Sequence, residues 1–266
     1  MKFKKSRYRV NGIAGDFYYD SSRTSFDGLF LSLIGLPSFP GPNKMIEEVV
    51  KYGYIVIQPH YPGTYDSDGE LSPSAFYEVF EHLNLLLHTG IPKGGSVIDI
   101  PKTNIVLTGH SFGCAALLRG VCKFEYEANA IFFGPAAHYS RESPDYGLIE
   151  DGPEHFSKLR LSHPHTYRLA ELSEWATIIN GKDLPPNHPQ TNKIKGAAIV
   201  VGENDAYCDK NACKENLPTL IQAYFGSSCK VKWYEVEQAG HPLTDLVSSG
   251  NFHICNLLEE FKVGRV

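Results

Sequence analysis

The chain has 266 residues, 42% hydrophobic and 21% charged, a globular composition well away from that of disordered chains. Its 25 Lys and Arg against 30 Asp and Glu leave a formal charge of −5, which gives no general pull toward nucleic acid or an anionic membrane. No apolar run approaches the ~20 residues that span a bilayer, so no membrane span is expected. The first twelve residues are basic and lack the apolar stretch of a secretory signal, which points to a cytoplasmic location. Six cysteines (Cys114, Cys122, Cys208, Cys213, Cys229, Cys255) form no Cys-x-x-Cys pair and are too sparse for a disulfide scaffold. Cys208, Cys213 and Cys229 match no zinc spacing, and no metal or cofactor is called for.

Apolar runs alternate with amphipathic stretches along the chain. Residues 29–35 read as a strand and 42–52 as a helix, and 54–58 (YIVIQ) as a second strand stopped by Pro59. Residues 74–88 place Phe76, Val79, Phe80, Leu83 and Leu87 on one helical face. The segment 90–95 lacks the Gly-Lys-Ser/Thr ending of a phosphate loop and reads as a turn. A third strand is expected at 104–108 (NIVLT), with a short helix at 115–121. Strands at 130–133, 197–201 and 230–236 complete the set. Continuous rather than alternating apolar strands imply burial on both faces, which a parallel sheet with helices above and below requires. One α/β domain over residues 1–266 is expected.

The interval 138–192 breaks this rhythm. It shows no clear strand, has a helical patch at 167–179, and carries Tyr139, Tyr146, His155, Phe156, Tyr167 and Trp175. An insert this long is uncommon unless it is functional, so a helical cap over a substrate pocket is expected. Its aromatics would then contact substrate; the alternative is that they hold the insert against the domain. His163 and His165 are expected to face solvent or the cap rather than a metal.

Gly109-His110-Ser111-Phe112-Gly113 fits Gly-x-Ser-x-Gly, directly after a strand and directly before a helix, the setting in which this turn presents a nucleophilic serine. A serine hydroxyl needs a base. Among eleven histidines, His241 stands out in the loop Gln238-Ala239-Gly240-His241-Pro242 after the strand 230–236. Loops at the carboxyl ends of strands are where α/β proteins keep reactive groups. Asp205 follows the strand 197–201 at the same edge and is the expected carboxylate orienting His241, ahead of Glu203 and Asp209. Asp245 is read as a structural residue near the last helix, and His110 as packing on the sheet. The order Ser111, Asp205, His241 is the one described for this motif.

With GHSFG, VVGENDAY and AGHP in this order, the sequence resembles the α/β-hydrolase-fold serine hydrolases over residues 29–261. Ile34-Gly35-Leu36-Pro37 stands where that family usually has His-Gly-x-x, with Ile34 replacing the histidine. Residues 61–67 (YPGTYDS) are similar to its Pro-Gly-x-Gly-x-Ser turn with the second Gly missing. The resemblance implies a mostly parallel sheet with helices on both faces, and an oxyanion hole from the backbone N–H groups of Leu36 and Phe112. It also implies hydrolysis of a small-molecule acyl substrate through an acyl-enzyme, with no cofactor. A carboxylic ester is expected, and thioester cleavage, acyl transfer, peptide cleavage and carbon–carbon cleavage use the same groups. A catalytically silent ligand binder on the same fold is the alternative of another class.

Overall fold

The chain opens with a hairpin, β1 (Phe3–Val10) and β2 (Ile13–Asp20), in a computed structural model that describes residues 1–135, 152–179, 192–208, 210–248, 251–264 and 266. The turn between them is Asn11-Gly12, both with positive φ (49° and 81°), the two-residue connection whose twist matches the strands. This hairpin is missing from the expectations above. Its first strand is a charged edge, FKKSRYRV, and edge strands carry charge rather than a continuous apolar run.

The predicted strands all form: β3 (Gly28–Leu33), β4 (Tyr54–Pro59), β7 (Ile105–His110), β8 (Ala128–Phe133), β9 (Ile194–Gly202) and β10 (Lys230–Val236). With β1 and β2 they make one eight-stranded sheet, in the order β1-β2-β4-β3-β7-β8-β9-β10. The β1–β2 and β2–β4 pairs are antiparallel, and β4–β3, β3–β7, β7–β8, β8–β9 and β9–β10 are parallel. The turn expected at 90–95 is instead a small separate hairpin, β5 (Ile91–Lys93) and β6 (Ser96–Ile98), with Gly94-Gly95 at its tip.

Alternate strand residues feed two cores, as the period of two requires. Leu29, Leu31 and Leu33 join one core with α2 (Ala75–Thr89), α3 (Phe112–Gly120) and α6 (Lys210–Phe225). Phe30, Val56 and Val106 join the other, with α1 (Lys44–Lys51), α7 (Leu243–Ser248) and α8 (Ile254–Lys262). Helix α1 starts at its cap, where the Asn43 side chain accepts from the Ile46 N–H, two residues later than the apolar pattern suggested. Helix α3 begins at Phe112 rather than 115, directly after the serine.

Of the interval 138–192, residues 138–151 and 180–191 lie outside the described residues, Tyr139 and Tyr146 among them. The described part contains α4 (Gly152–Ser162) and α5 (Leu172–Ile179), so the helical patch expected at 167–179 starts only at 172. Residues 166–170 are extended along 63–71: Tyr65 N–H donates to Thr166 O, Arg168 N–H to Gly63 O, Leu71 N–H to Arg168 O and Ala170 N–H to Leu71 O. Trp175 is fully buried, with its ring 5.9 Å from that of Phe76 and 6.1 Å from that of Phe112. Of the two readings of the insert's aromatics, this one holds the segment to the domain. Trp175→Ala is expected to cost about 3–5 kcal/mol, a fall in Tm on the order of 10 °C that calorimetry would register.

The buried β2 carries Asp16 into the interior, where Lys5 Nζ (2.9 Å), Arg7 Nε (3.1 Å) and His60 Nε2 (3.8 Å) surround its carboxylate. Burial alone would push this carboxyl up, but the neighbouring His60, Lys5 and Arg7 side chains outweigh burial and hold it well below the usual range. At the end of the same strand, the Ser22 hydroxyl, Lys2 N–H and Ser22 N–H hold Asp20 down to about 2. A depressed carboxyl contributes stability that is complete above its unfolded value of about 3.9 and is lost as pH falls through the folded value. Tm is therefore expected to decline from about pH 4 to pH 2, and Asp20→Asn to flatten that decline. A profile unchanged by the substitution would contradict the assignment to Asp20.

Candidate active site

Strand β7 runs up the middle of the sheet and ends at His110. Ser111 then takes φ 53° and ψ −118°, a left-handed backbone that a non-glycine residue adopts only under local strain. Two contacts hold it there: Ser111 N–H donates to Phe133 O at 3.0 Å, and Ser111 O accepts from Cys114 N–H at 2.9 Å. The following helix sits so close to β3 that a Cβ on Gly113 would lie 2.3 Å from Leu33 O, which is why this position is glycine. The chain leaving β3 passes over the serine, since a Cβ on Gly35 would come within 3.0 Å of Ser111 Cβ.

Asp205 follows β9, and its side chain is fully buried. His241 Nδ1 lies 3.0 Å from both Asp205 carboxylate oxygens, and Tyr207 N–H donates to Asp205 Oδ1 at 2.8 Å. The two loops that carry the pair are stitched together: Asn204 N–H donates to Ala239 O, and Gln238 N–H to the Glu203 carboxylate at 2.9 Å. Glu203, weighed above as an orienting acid, therefore braces the loop rather than the imidazole. Asp209 lies outside the described residues. With Nδ1–H directed at Asp205, the lone pair of His241 is on Nε2, and the ring is 15% exposed.

The loop 34–41 that carries Leu36 is pinned from three sides. Tyr61 donates its hydroxyl proton to Ile34 O at 3.1 Å, Tyr167 Oη accepts from Ser38 N–H and donates to Ser38 O, and Gly41 N–H donates to Gln58 Oε1. Leu36 and Phe112 are both buried and flank Gly35 and Ser111 in the chain. Among the described residues no group of three or more His, Cys, Asp or Glu is placed to hold a metal ion, and no helix is long and apolar enough to cross a membrane. His163 is half-buried and His165 exposed.

No protein-family model matches the chain, and neither does any curated protein sequence. Solved structures do match. A fungal esterase from Rhizomucor miehei superposes with a TM-score of 0.64 at 14% identity, over 99% of this chain and 83% of that one. The α/β hydrolase GrgF from Penicillium sp. sh18 gives 0.59 at 14% identity, over 99% and 98%. A monoacylglycerol lipase from Paleococcus ferrophilus gives 0.56 at 15%, over 99% and 100%. The chain has the α/β-hydrolase fold.

Within this α/β-hydrolase fold the structure brings Asp205 and His241 into direct contact, and places Ser111 on the residue after His110, whose ring is 5.2 Å from that of His241. Two neighbours were not assigned these contacts from sequence. His110 does more than pack: its Nε2–H donates to the backbone carbonyl of His241 at 2.9 Å. Burial lowers its pKa to about 4, so it remains neutral and keeps that bond at ordinary pH. Tyr207, more than half exposed, lays its ring 4.8 Å from that of His241. Nothing in the local sequence marks either contact, since each depends on where the loop 237–242 comes to rest.

Proposed function

We propose that the protein is a serine hydrolase that cleaves a carboxylic ester through Ser111, His241 and Asp205. The observation that carries this reading is the His241–Asp205 bond, together with a serine held at positive φ directly after His110, whose ring packs against that of His241. Esterases and lipases among the structures that share the fold add weight to it.

Ser111 Oγ attacks the acyl carbonyl and gives its proton to His241 Nε2, while Asp205 holds the imidazole by Nδ1 and stabilises the imidazolium. The oxyanion draws on the backbone N–H groups of Leu36 and Phe112, a contribution of about 3 kcal/mol for each donor. Collapse expels the alcohol, which takes the proton from Nε2, and water then repeats the sequence on the acyl-enzyme. The segment 138–192 acts as the cap, an assignment supported by the docking of residues 166–170 on 63–71 and of Tyr167 on Ser38.

A fluorophosphonate probe, with p-nitrophenyl esters of increasing acyl length beside acyl-CoA thioesters, tests the reading. Labelling at Ser111 with ester turnover is expected. Absence of both identifies a silent binder, and turnover of thioesters alone replaces the ester assignment.

A further inference from the structure

A pocket of about 350 Å3 opens beside His241, between the ends of β4, β3 and β7, the loop 34–41 and the start of α7. Its walls include Pro37 and Leu243, and its floor is polar. Gln58 on β4 and Ser32 on β3 point to the same face of the sheet as Val56 and Phe30, two residues further back along the strands. Gln58 is 2% exposed and Ser32 3%.

The orientation of Gln58 follows from its partners. Oε1 accepts from Gly41 N–H at 2.9 Å and from the Tyr18 hydroxyl at 3.2 Å, so the amide nitrogen Nε2 is the end left for the pocket. Among the described residues neither Gln58 Nε2 nor Ser32 Oγ has a hydrogen-bond partner within the protein, and neither belongs to the fully enclosed unpartnered atoms, so each is open to whatever fills the pocket. The neighbouring Thr108, level with Ser32 on β7, does have one, donating to Leu31 O at 2.8 Å. His110 also lines the pocket. Because its Nε2–H is engaged with His241 O, its Nδ1 carries a lone pair. An amide donor, a hydroxyl and a ring acceptor together suit a ligand group that both accepts and donates, and an alcohol hydroxyl does both.

Which half of an ester enters here follows from the proton transfers, and this step rests on the ester reading above. The leaving oxygen takes its proton from His241 Nε2, so the alcohol half lies against His241, which lines this pocket together with Gly35, the residue packed against Ser111. We propose that the pocket receives the alcohol half and binds a free hydroxyl on it through Gln58, Ser32 and His110. The preferred substrates are then esters of short diols or comparably hydroxylated alcohols.

The test compares 4-hydroxybutyl acetate with pentyl acetate, which replaces the terminal hydroxyl by a methyl group of similar size. For the unaltered protein kcat/KM is expected to favour the hydroxy ester about 10- to 100-fold, since the methyl analogue displaces water from these polar groups without replacing its hydrogen bonds. The ratio should fall toward one in Ser32→Ala and in Gln58→Met. Because Gln58→Met also removes the acceptor for Gly41 N–H, its folding is checked by Tm, and Ser32→Ala decides if it unfolds. Equal rates on the two esters, or a preference that survives both substitutions, overturn the proposal. Binding of the two esters to Ser111→Ala, measured by calorimetry, separates it from the catalytic reading. Tighter binding of the hydroxy ester, lost with Ser32→Ala, upholds the pocket even where no ester is turned over; no difference in binding with no turnover refutes both.

Discussion

Ser111→Ala is expected to reduce ester turnover by roughly 10⁴-fold or more while leaving the protein folded, because the members of such a group act as a unit. The small structural effect follows from what holds the residue: its backbone N–H and C=O engage Phe133 and Cys114, and the hydroxyl takes no part in either bond. Alanine keeps both. The strained φ of 53° persists in the variant, so Tm should move by only a degree or two while the rate collapses. Measuring the two side by side is essential, since a rate lost together with a large fall in Tm would say only that the turn had broken. Wild-type kinetics in Ser111→Ala would end the assignment.

Asp205→Asn is expected to lower kcat by about 10³–10⁴-fold at nearly unchanged volume. In the native site both carboxylate oxygens lie 3.0 Å from His241 Nδ1, and Oδ1 also accepts from Tyr207 N–H. An asparagine keeps its single oxygen on the Tyr207 N–H and turns its NH2 toward Nδ1. That favours the tautomer with Nδ1 as acceptor and Nε2 protonated, which cannot take the serine proton. Glu203→Gln is the informative control: Glu203 accepts from Gln238 N–H, a bond that an amide oxygen can also accept, so the loss of rate should be far smaller. If Glu203→Gln proved as damaging as Asp205→Asn, the orienting acid would have been misassigned.

The strands that carry the site were legible because both faces of a central parallel strand are buried, which leaves an unbroken apolar run in sequences such as NIVLT and YIVIQ. GHSFG was legible for a similar reason. The turn at Ser111 tolerates few residue types, and the approach of α3 to β3 admits no side chain at Gly113. Asp205 and His241 could be singled out because each follows a strand at the same edge of the sheet. The hairpin at the amino end was also signalled, by Asn11-Gly12, but its charged first strand lacks the apolar pattern on which strand detection rests.

The sequence by itself determined the order of layers, the turn at Ser111 and the two loops that bring Asp205 and His241 to one edge. Only the tertiary structure decided what Glu203 does: Asp205, favoured from the sequence, faces His241, while Glu203, two positions earlier, accepts from Gln238 N–H and braces the loop. It also decided that Trp175 is core, that Tyr167 anchors the loop of Leu36, and that Gln58 and Ser32 share a pocket with His241. Each of those facts joins residues far apart in the chain. Periodicity and spacing report what a segment buries, but not which distant segment it meets. That choice is made when the sheet closes and two cores fill around it.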